Sequence, residues 1–297
     1  MLPCALLAVL AGAVETPGLD EILRRVSEEA EVFVRVAPKT FAEETLRQKA
    51  RKAPPRFRPR VGEAALKPPP VRYQTREIVS EYGYSAFRDS PYLLHEFRQV
   101  ISVDGRRRQA PEKARQTLSL GVQSEDDNVK KRMLLDFEKH GLVGTVTDFG
   151  QLLLLFSRRR LGEYRFTLAG TTRLGADRIA TVRYRQVAGE QSLTVFEGRK
   201  AIHQNLTGEI WVRLPDLAPV RITLTANREE GKATIREEAA VDYVMSSHGV
   251  MLPVSVVHRQ FRGDDLITEN LFRYTSFHRF SAESEIKFTE VPQAEPK

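Results

Sequence analysis

The sequence predicts an α+β protein in which helices pack on one side of an antiparallel β-sheet. Residues 17–36 repeat apolar side chains at helical spacing, and most of the chain from residue 164 onward alternates apolar with polar residues. A period near 3.6 is typical of an amphipathic helix, and a period of two is typical of a half-buried strand. The turns between the later strands are too short for crossover connections, so the strands are expected to run antiparallel.

A helix is predicted over 17–36, then a strand over 40–49 and a proline-rich loop over 51–70. The helix ends at Pro38. Residues 40–49 also suit a helix by composition, but their position in the sheet pattern favours a strand. The six prolines within 51–70 exclude a paired strand or a continuing helix. An exposed connector is therefore expected, with a recognition ligand for another protein as the alternative.

Two long strands and a helical insertion come next. The strands are predicted over 71–87 and 93–104, and the Asp104-Gly105 pair that follows is a turn signal. In the second strand, Phe97, Ile101 and Val103 are assigned to one face and the charged residues to the other. The insertion covers 111–156, and its helices are expected at 111–120, 126–139 and 151–156. The last segment contains four consecutive leucines, which also suit a buried strand.

The remaining chain is predicted to consist almost entirely of strands. Each has one apolar and one polar face, which is the pattern of an antiparallel sheet packed on one side only. The predicted helices are the natural cover for the apolar face. The expected strands span 164–169, 178–187, 193–196, 206–214, 219–227, 233–245, 251–261, 266–274 and 285–289.

An export signal is predicted over residues 1–13, which carry no charged side chain. The run is too short to span a bilayer, which needs about 20 apolar residues. It resembles the apolar region of a secretory leader, with Ala11-Gly12-Ala13 as the cleavage site. The usual basic start is missing, as in a truncated leader or one with an upstream initiator. An apolar helix buried in the core is the alternative interpretation.

Charge and cysteine content argue against several kinds of function. Lys and Arg number 46 and Asp and Glu 39, which leaves a net charge of +7. The basic residues are scattered along strands and no nucleic-acid motif accompanies them, so nucleic acid is not expected as a partner. The runs Arg106–Arg108 and Arg158–Arg160 are interpreted as solvated turns in preference to binding patches. Cys4, the single cysteine, lies in the leader, so no disulfide or cysteine-based metal site is expected.

No catalytic motif is found in the sequence. It lacks the nucleophile elbow, the zinc-protease helix and the glycine-rich phosphate loops. His95 and Glu96 are neighbours on a predicted strand and point to opposite faces. The six histidines have no metal-ligand spacing. We therefore expect no catalytic residue, no metal, no cofactor and no enzymatic activity, with a hydrolase as a distant alternative.

Three segments of the C-terminal half carry a family resemblance. Thr207–Ile222 contains a G-x-I-W-V strand followed by a P-V-R-I strand, Val241–Tyr243 and Gly249–Pro253 look like the next hairpin, and Leu271–Phe280 looks like a closing strand. With the first helix and the strand at Phe41, they resemble the LolA-like superfamily of periplasmic lipoprotein-sorting and lipid-carrying proteins. The resemblance implies a curved antiparallel β half-barrel, with helices covering the concave face and no catalytic residue. It further implies one domain over 14–291, followed by a flexible tail over 292–297.

Two functions of different class follow. A carrier would enclose lipid or lipoprotein acyl chains in an apolar cavity, whereas a non-catalytic scaffold would fill the same face with its own side chains and bind other envelope proteins. In both cases the protein is expected in the periplasm or otherwise exported, as a monomer without a membrane span. The residues expected to line the cavity occupy the apolar phase of their strands: Phe97, Ile101, Ile210, Val212, Ile222, Leu224, Val241, Tyr243, Val254 and Val256.

Overall fold

The structure is a computed structural model that describes residues 17–53, 70–144, 148–187, 193–197, 200–231 and 233–279. The predicted leader over 1–13, the strand over 285–289 and the tail over 292–297 lie outside the described residues. So does most of the proline-rich segment 51–70.

Strands dominate the described chain, as the alternating pattern predicted. They are β1 Thr40–Arg51, β2 Tyr73–Phe87, β3 Ser90–Val103, β4 Arg106–Arg107, β5 Tyr164–Leu174, β6 Asp177–Gln186, β7 Leu193–Glu197, β8 Lys200–Gln204, β9 Leu206–Leu214, β10 Ala218–Glu230, β11 Ala233–Met245, β12 Met251–Arg262 and β13 Asp265–Arg279.

Eleven of these strands form one open sheet in the order β4-β3-β2-β1-β13-β12-β11-β10-β9-β6-β5. Every pairing within it is antiparallel, which confirms that part of the prediction. β7 and β8 form a separate hairpin. Because β1 pairs with β13, the first and last strands of the described chain lie side by side within the sheet.

Among the described residues, three α-helices accompany the sheet: α1 Leu19–Val36, α2 Pro111–Gln123 and α3 Asp127–Glu138. Pro111 occupies the first turn of α2, where its missing N–H costs nothing. The Asp126 side chain caps α3 by accepting a hydrogen bond from the Asn128 N–H at 2.9 Å. The leucine run forms a short 3-10 helix over Leu152–Phe156. No helix among the described residues is long and apolar enough to cross a membrane.

The helices lie on both faces of the sheet, which corrects the prediction of a single covered face. We call the side against which α1 packs the α1 face, and the opposite side the α2 face. On β2, Tyr82 and Tyr84 belong to the apolar cluster of the α1 face, whereas the intervening Gly83 lies next to Leu118 of α2. A strand covered on both faces has no wet side, so alternation in β2 and β3 could not reveal which face carries which helix.

Candidate functional site

The α1 face carries one continuous apolar cluster, and it brings together seven of the ten predicted lining residues. Each of the seven is at most 2% exposed. They come from β9, β10, β11 and β12, which are neighbours in the sheet. The seven are Ile210, Val212, Ile222, Leu224, Val241, Tyr243 and Val256.

Helix α1 covers this cluster with its apolar stripe. Ile22, Val26, Ala30 and Phe33 are fully buried and recur at three- and four-residue spacing, as the sequence predicted. Phe33 meets the ring of Tyr84 edge-on, with 5.2 Å between the ring centroids. The polar side of the helix carries exposed ion pairs such as Arg24–Glu28. The groove between α1 and the sheet is therefore filled by the protein's own side chains.

The short 3-10 helix extends this cover toward the β5 edge. Leu153 and Phe156 are fully buried in the same cluster. The ring of Phe156 packs edge-on against Tyr184 and Tyr164, at centroid distances of 4.9 and 5.5 Å. Tyr243 fixes the start of this segment, because its oxygen accepts a hydrogen bond from the Leu153 N–H at 3.1 Å.

The other three predicted lining residues are Phe97, Ile101 and Val254, and they lie outside this cluster. Phe97 belongs to a second cluster on the α2 face, with Phe41, Leu118, Val122 and Met133.

Ile101 and Val254 each sit at a register shift. Ile101 is the extra residue of a bulge, since Val100 pairs with Ser80 but Ser102 pairs with Val79. Val254 is the extra residue where Ser255 pairs with Asp242 and Pro253 with Tyr243. A bulge inserts one unpaired residue and so breaks the two-residue period from which the lining set was predicted.

A buried ion network explains why charged side chains of β3 lie on a covered face of the sheet. Glu96 and Arg98 lie on the face opposite Phe97, as predicted, but that face is the covered α1 face and their side chains are 1% exposed. Arg98 binds Glu44 of β1 through two parallel hydrogen bonds, Nε to Oε1 and Nη2 to Oε2, both 2.7 Å long. Its Nη2 also donates to Glu96 Oε2 at 2.7 Å. Sequence reasoning missed this network because charged residues are expected outside unless a partner is known.

Aromatic rings enclose the guanidinium of Arg98. It lies over the rings of Tyr82, Phe137 and Phe272, at 5.1, 5.0 and 5.7 Å from their centroids. Burial raises the pKa of Glu96, and the charge of Arg98 opposes that rise. The pKa of Tyr82 is raised well above its usual value, first by burial and then by the Glu96 carboxylate. Two carboxylates thus share one buried cation on this face.

The same network anchors the segment that leads back from α3 to the sheet. Glu96 accepts hydrogen bonds from the backbone N–H groups of Asp148 at 3.0 Å and Gly150 at 2.7 Å. The hydroxyl of Tyr243 donates to the Gly150 carbonyl at 3.1 Å. A side chain on Gly150 would collide with Glu96 and the Tyr82 hydroxyl, so glycine is required for this close approach.

A second polar network lies beside the first. Gln48 binds both backbone groups of Val143, donating to its carbonyl at 3.0 Å and accepting from its N–H at 2.8 Å. Asn270 joins Gln48 to the ring of His258, and Phe149 stacks on that ring at 4.1 Å. Burial lowers the pKa of His258 to about 4, so the ring is neutral at neutral pH. Hydrogen bonds from Gln48 and Glu96 hold residues 143, 148 and 150 against the sheet, together with the buried ring of Phe149.

Three depressions on the described surface are lined partly by charged side chains. One, of about 420 Å³, includes Arg47, Arg76 and Asp104. Another, of about 510 Å³, lies between α1 and the residues just after the 3-10 helix. A third, of about 420 Å³, lies beside β3. Within the described parts of the chain, no three His, Cys, Asp or Glu side chains lie close enough together to hold a metal ion.

No family model and no curated protein matches the chain. A LolA superfamily protein from Nitrosomonas europaea is 8% identical with a TM-score of 0.31, and the match covers 87% of this chain and 94% of that one. A DUF1329 family protein from Desulfovibrio piger is 10% identical with a TM-score of 0.37, covering 88% and 95%. The first bears the family name suggested by the sequence motifs, and the likeness concerns the fold alone.

Proposed function

We propose that this protein is an exported, non-catalytic carrier that binds lipid or lipoprotein acyl chains on the α1 face, with α1 as a movable cover. The observation that carries the proposal is the composition of that face. A continuous apolar surface over β9 to β12 is closed by one helix and one 3-10 segment. Helix α1 is joined to β1 by the short turn Ala37–Lys39 and contributes no strand to the sheet, so its displacement would leave the strand pairing intact.

The free energy that holds α1 on the sheet and the free energy of burying an acyl chain are of the same order. Burying a large apolar side chain contributes about 1.5–3 kcal/mol, so Ile22, Val26 and Phe33 together hold α1 with roughly 5–9 kcal/mol. A sixteen-carbon acyl chain contributes about 0.8 kcal/mol per buried methylene, or roughly 12 kcal/mol when fully buried. An acyl chain that replaced the contacts of α1 would therefore compensate for its displacement.

The scaffold hypothesis remains the second candidate, and a specific observation favours it. The α1 face is already filled, with Ile22, Val26, Ala30 and Phe33 fully buried against the sheet. In that case the interior is an ordinary core, and the proline-rich segment or a sheet edge binds another envelope protein.

A cavity-forming substitution in the cover separates the two candidates. Phe33→Ala weakens the docking of α1, so in a carrier it raises the population of the open state and tightens the apparent affinity for a fluorescent fatty acid. Losing a buried Phe typically costs about 3–5 kcal/mol, so the gain is expected to reach at least tenfold. Ile235→Ala is the matched control. It removes a buried β11 side chain outside the α1 cluster and should lower stability without tightening binding.

Delipidated protein is titrated with the fatty acid while unfolding is monitored in parallel. Tighter binding in Phe33→Ala alone supports the carrier. If the parent and both variants remain folded and none binds the fatty acid, the carrier hypothesis is wrong and the scaffold is favoured. Export is tested separately, by N-terminal sequencing of protein recovered from the periplasm, with a start at or near Val14 expected.

A further inference from the structure

A depression with an excess of basic residues lies beside β3, where the edge strand β4 no longer covers it. β4 pairs only with Ser102 and Val103 of β3. The depression, of about 420 Å³, extends from there along residues 98–100 to the end of α3. Its ionisable lining side chains are Arg98, Arg108, Lys139, His140 and one acid, Asp136.

Two of these cations are available to a ligand. The exposed side chain of Arg108 forms no hydrogen bond or ion pair with any residue that the structure describes. Lys139 pairs with Asp136 at 2.6 Å, but their side chains are 72% and 64% exposed. Such a pair is screened by water and contributes little, so Lys139 can turn toward an incoming anion.

Two further observations point to an anion. Arg98 is a nearly fully buried lining residue, and its Nη1 atom has no hydrogen-bond partner among the described residues. The pKa of His140 is lowered by burial and then by the charges of Arg108 and Arg76. Arg108 and Lys139 are exposed, whereas the charge of Arg98 is already matched by Glu44 and Glu96. An anionic ligand would therefore be drawn to Arg108 and Lys139.

We propose that this depression is a binding site for a phosphate monoester, either soluble or the head group of a lipid. Arg108 and Lys139 bind the phosphate oxygens, because guanidinium and ammonium groups form short charge-assisted hydrogen bonds to phosphate. The depression also reaches the apolar cluster, since Val100 and Phe137 line it and belong to the cluster of the α1 face. An ester bearing an acyl chain would extend in that direction. Only this extension rests on the proposed carrier function.

A charge-reversal pair tests the site. Glycerol 3-phosphate is titrated into the full-length protein at low ionic strength and near neutral pH, and binding is followed by 31P NMR and calorimetry. Arg108→Glu should weaken binding by about tenfold or more, as expected for the loss of one charge-assisted hydrogen bond. Arg106→Glu is the matched control. It makes the same change in net charge two residues away, at an exposed position outside the depression, and should change affinity less than about twofold by screening.

Three outcomes are decisive. Selective loss in Arg108→Glu supports the site, whereas equal losses in both variants, or no binding by the folded parent, overturn it. A short-chain lysophosphatidic acid below its micelle concentration then identifies the source of the phosphate. Tighter binding than glycerol 3-phosphate indicates a lipid, and equal binding indicates a soluble ester. If the carrier hypothesis fails in the fatty acid titration, the glycerol 3-phosphate result still stands on its own.

Discussion

Removal of the guanidinium of Arg98 is expected to destabilise the protein strongly. Arg98→Met keeps an unbranched apolar stem that can still pack on Tyr82 and Phe137. It leaves Glu44 and Glu96, whose side chains are 0% and 1% exposed, without their shared cation. Removing one partner of a buried ion pair typically costs about 3–5 kcal/mol, because the remaining charge is buried and uncompensated. We expect a loss of that size in the free energy of unfolding.

Arg47→Met, on β1, is the matched control. Arg47 also pairs with a glutamate at 2.7 Å, but its side chain is 71% exposed and that of Glu77 is 39% exposed. Exposed pairs contribute at most about 1 kcal/mol. Urea unfolding of the parent and both variants is followed through Trp211, the only tryptophan of the chain. Equal losses of about 1 kcal/mol or less in the two variants would refute the argument that burial decides the energy of this network.

The loss of stability in Arg98→Met should also depend on pH. Burial already raises the pKa of Glu96 while Arg98 opposes the rise, so removing the cation raises it further. A carboxyl whose folded pKa lies above its unfolded value stabilises the fold below the unfolded pKa, and that contribution is lost as pH rises through the folded pKa. The difference between variant and parent should therefore be smaller near about pH 5 than near about pH 8. A difference that does not change with pH contradicts this assignment.

Two further variants test the polar network and the family-like motif. His258→Gln should flatten the pH dependence of stability: the buried ring has a pKa of about 4 against an ordinary 6.5, so the parent loses up to about 3 kcal/mol from this group as pH falls between those values. Urea unfolding at several pH values measures this pH dependence. A stability difference between parent and variant that does not change with pH contradicts the prediction. Gly208→Ala should lower the free energy of unfolding by more than about 2 kcal/mol, because its new Cβ would meet the Thr223 carbonyl oxygen. Gly162→Ala is the control and should change the unfolding midpoint little, because there is open space around its Cβ.

Local sequence patterns predicted most of the secondary structure. The stripe at Ile22, Val26 and Phe33 predicted α1, and the period of two in β9 to β12 predicted both the strands and their buried side. These predictions succeeded because each element buries one face against a single partner, so its hydrophobic period survives in the sequence. The 151–156 segment was predicted as a helix and is a 3-10 helix, since five residues are too few to make α-helical nucleation favourable.

The sequence by itself therefore determined the class of the fold, its antiparallel pairing and seven of the residues buried on the α1 face. Only the tertiary structure decided where Phe97, Ile101 and Val254 lie, because two bulges shift the phase and β3 is covered on both faces. It also decided that Glu96 and Arg98 point inward. A buried charge is tolerated only beside its partner, and here that partner, Glu44, lies 54 residues away from Arg98 in the chain. No local pattern contains such a contact, so only folding brings it about.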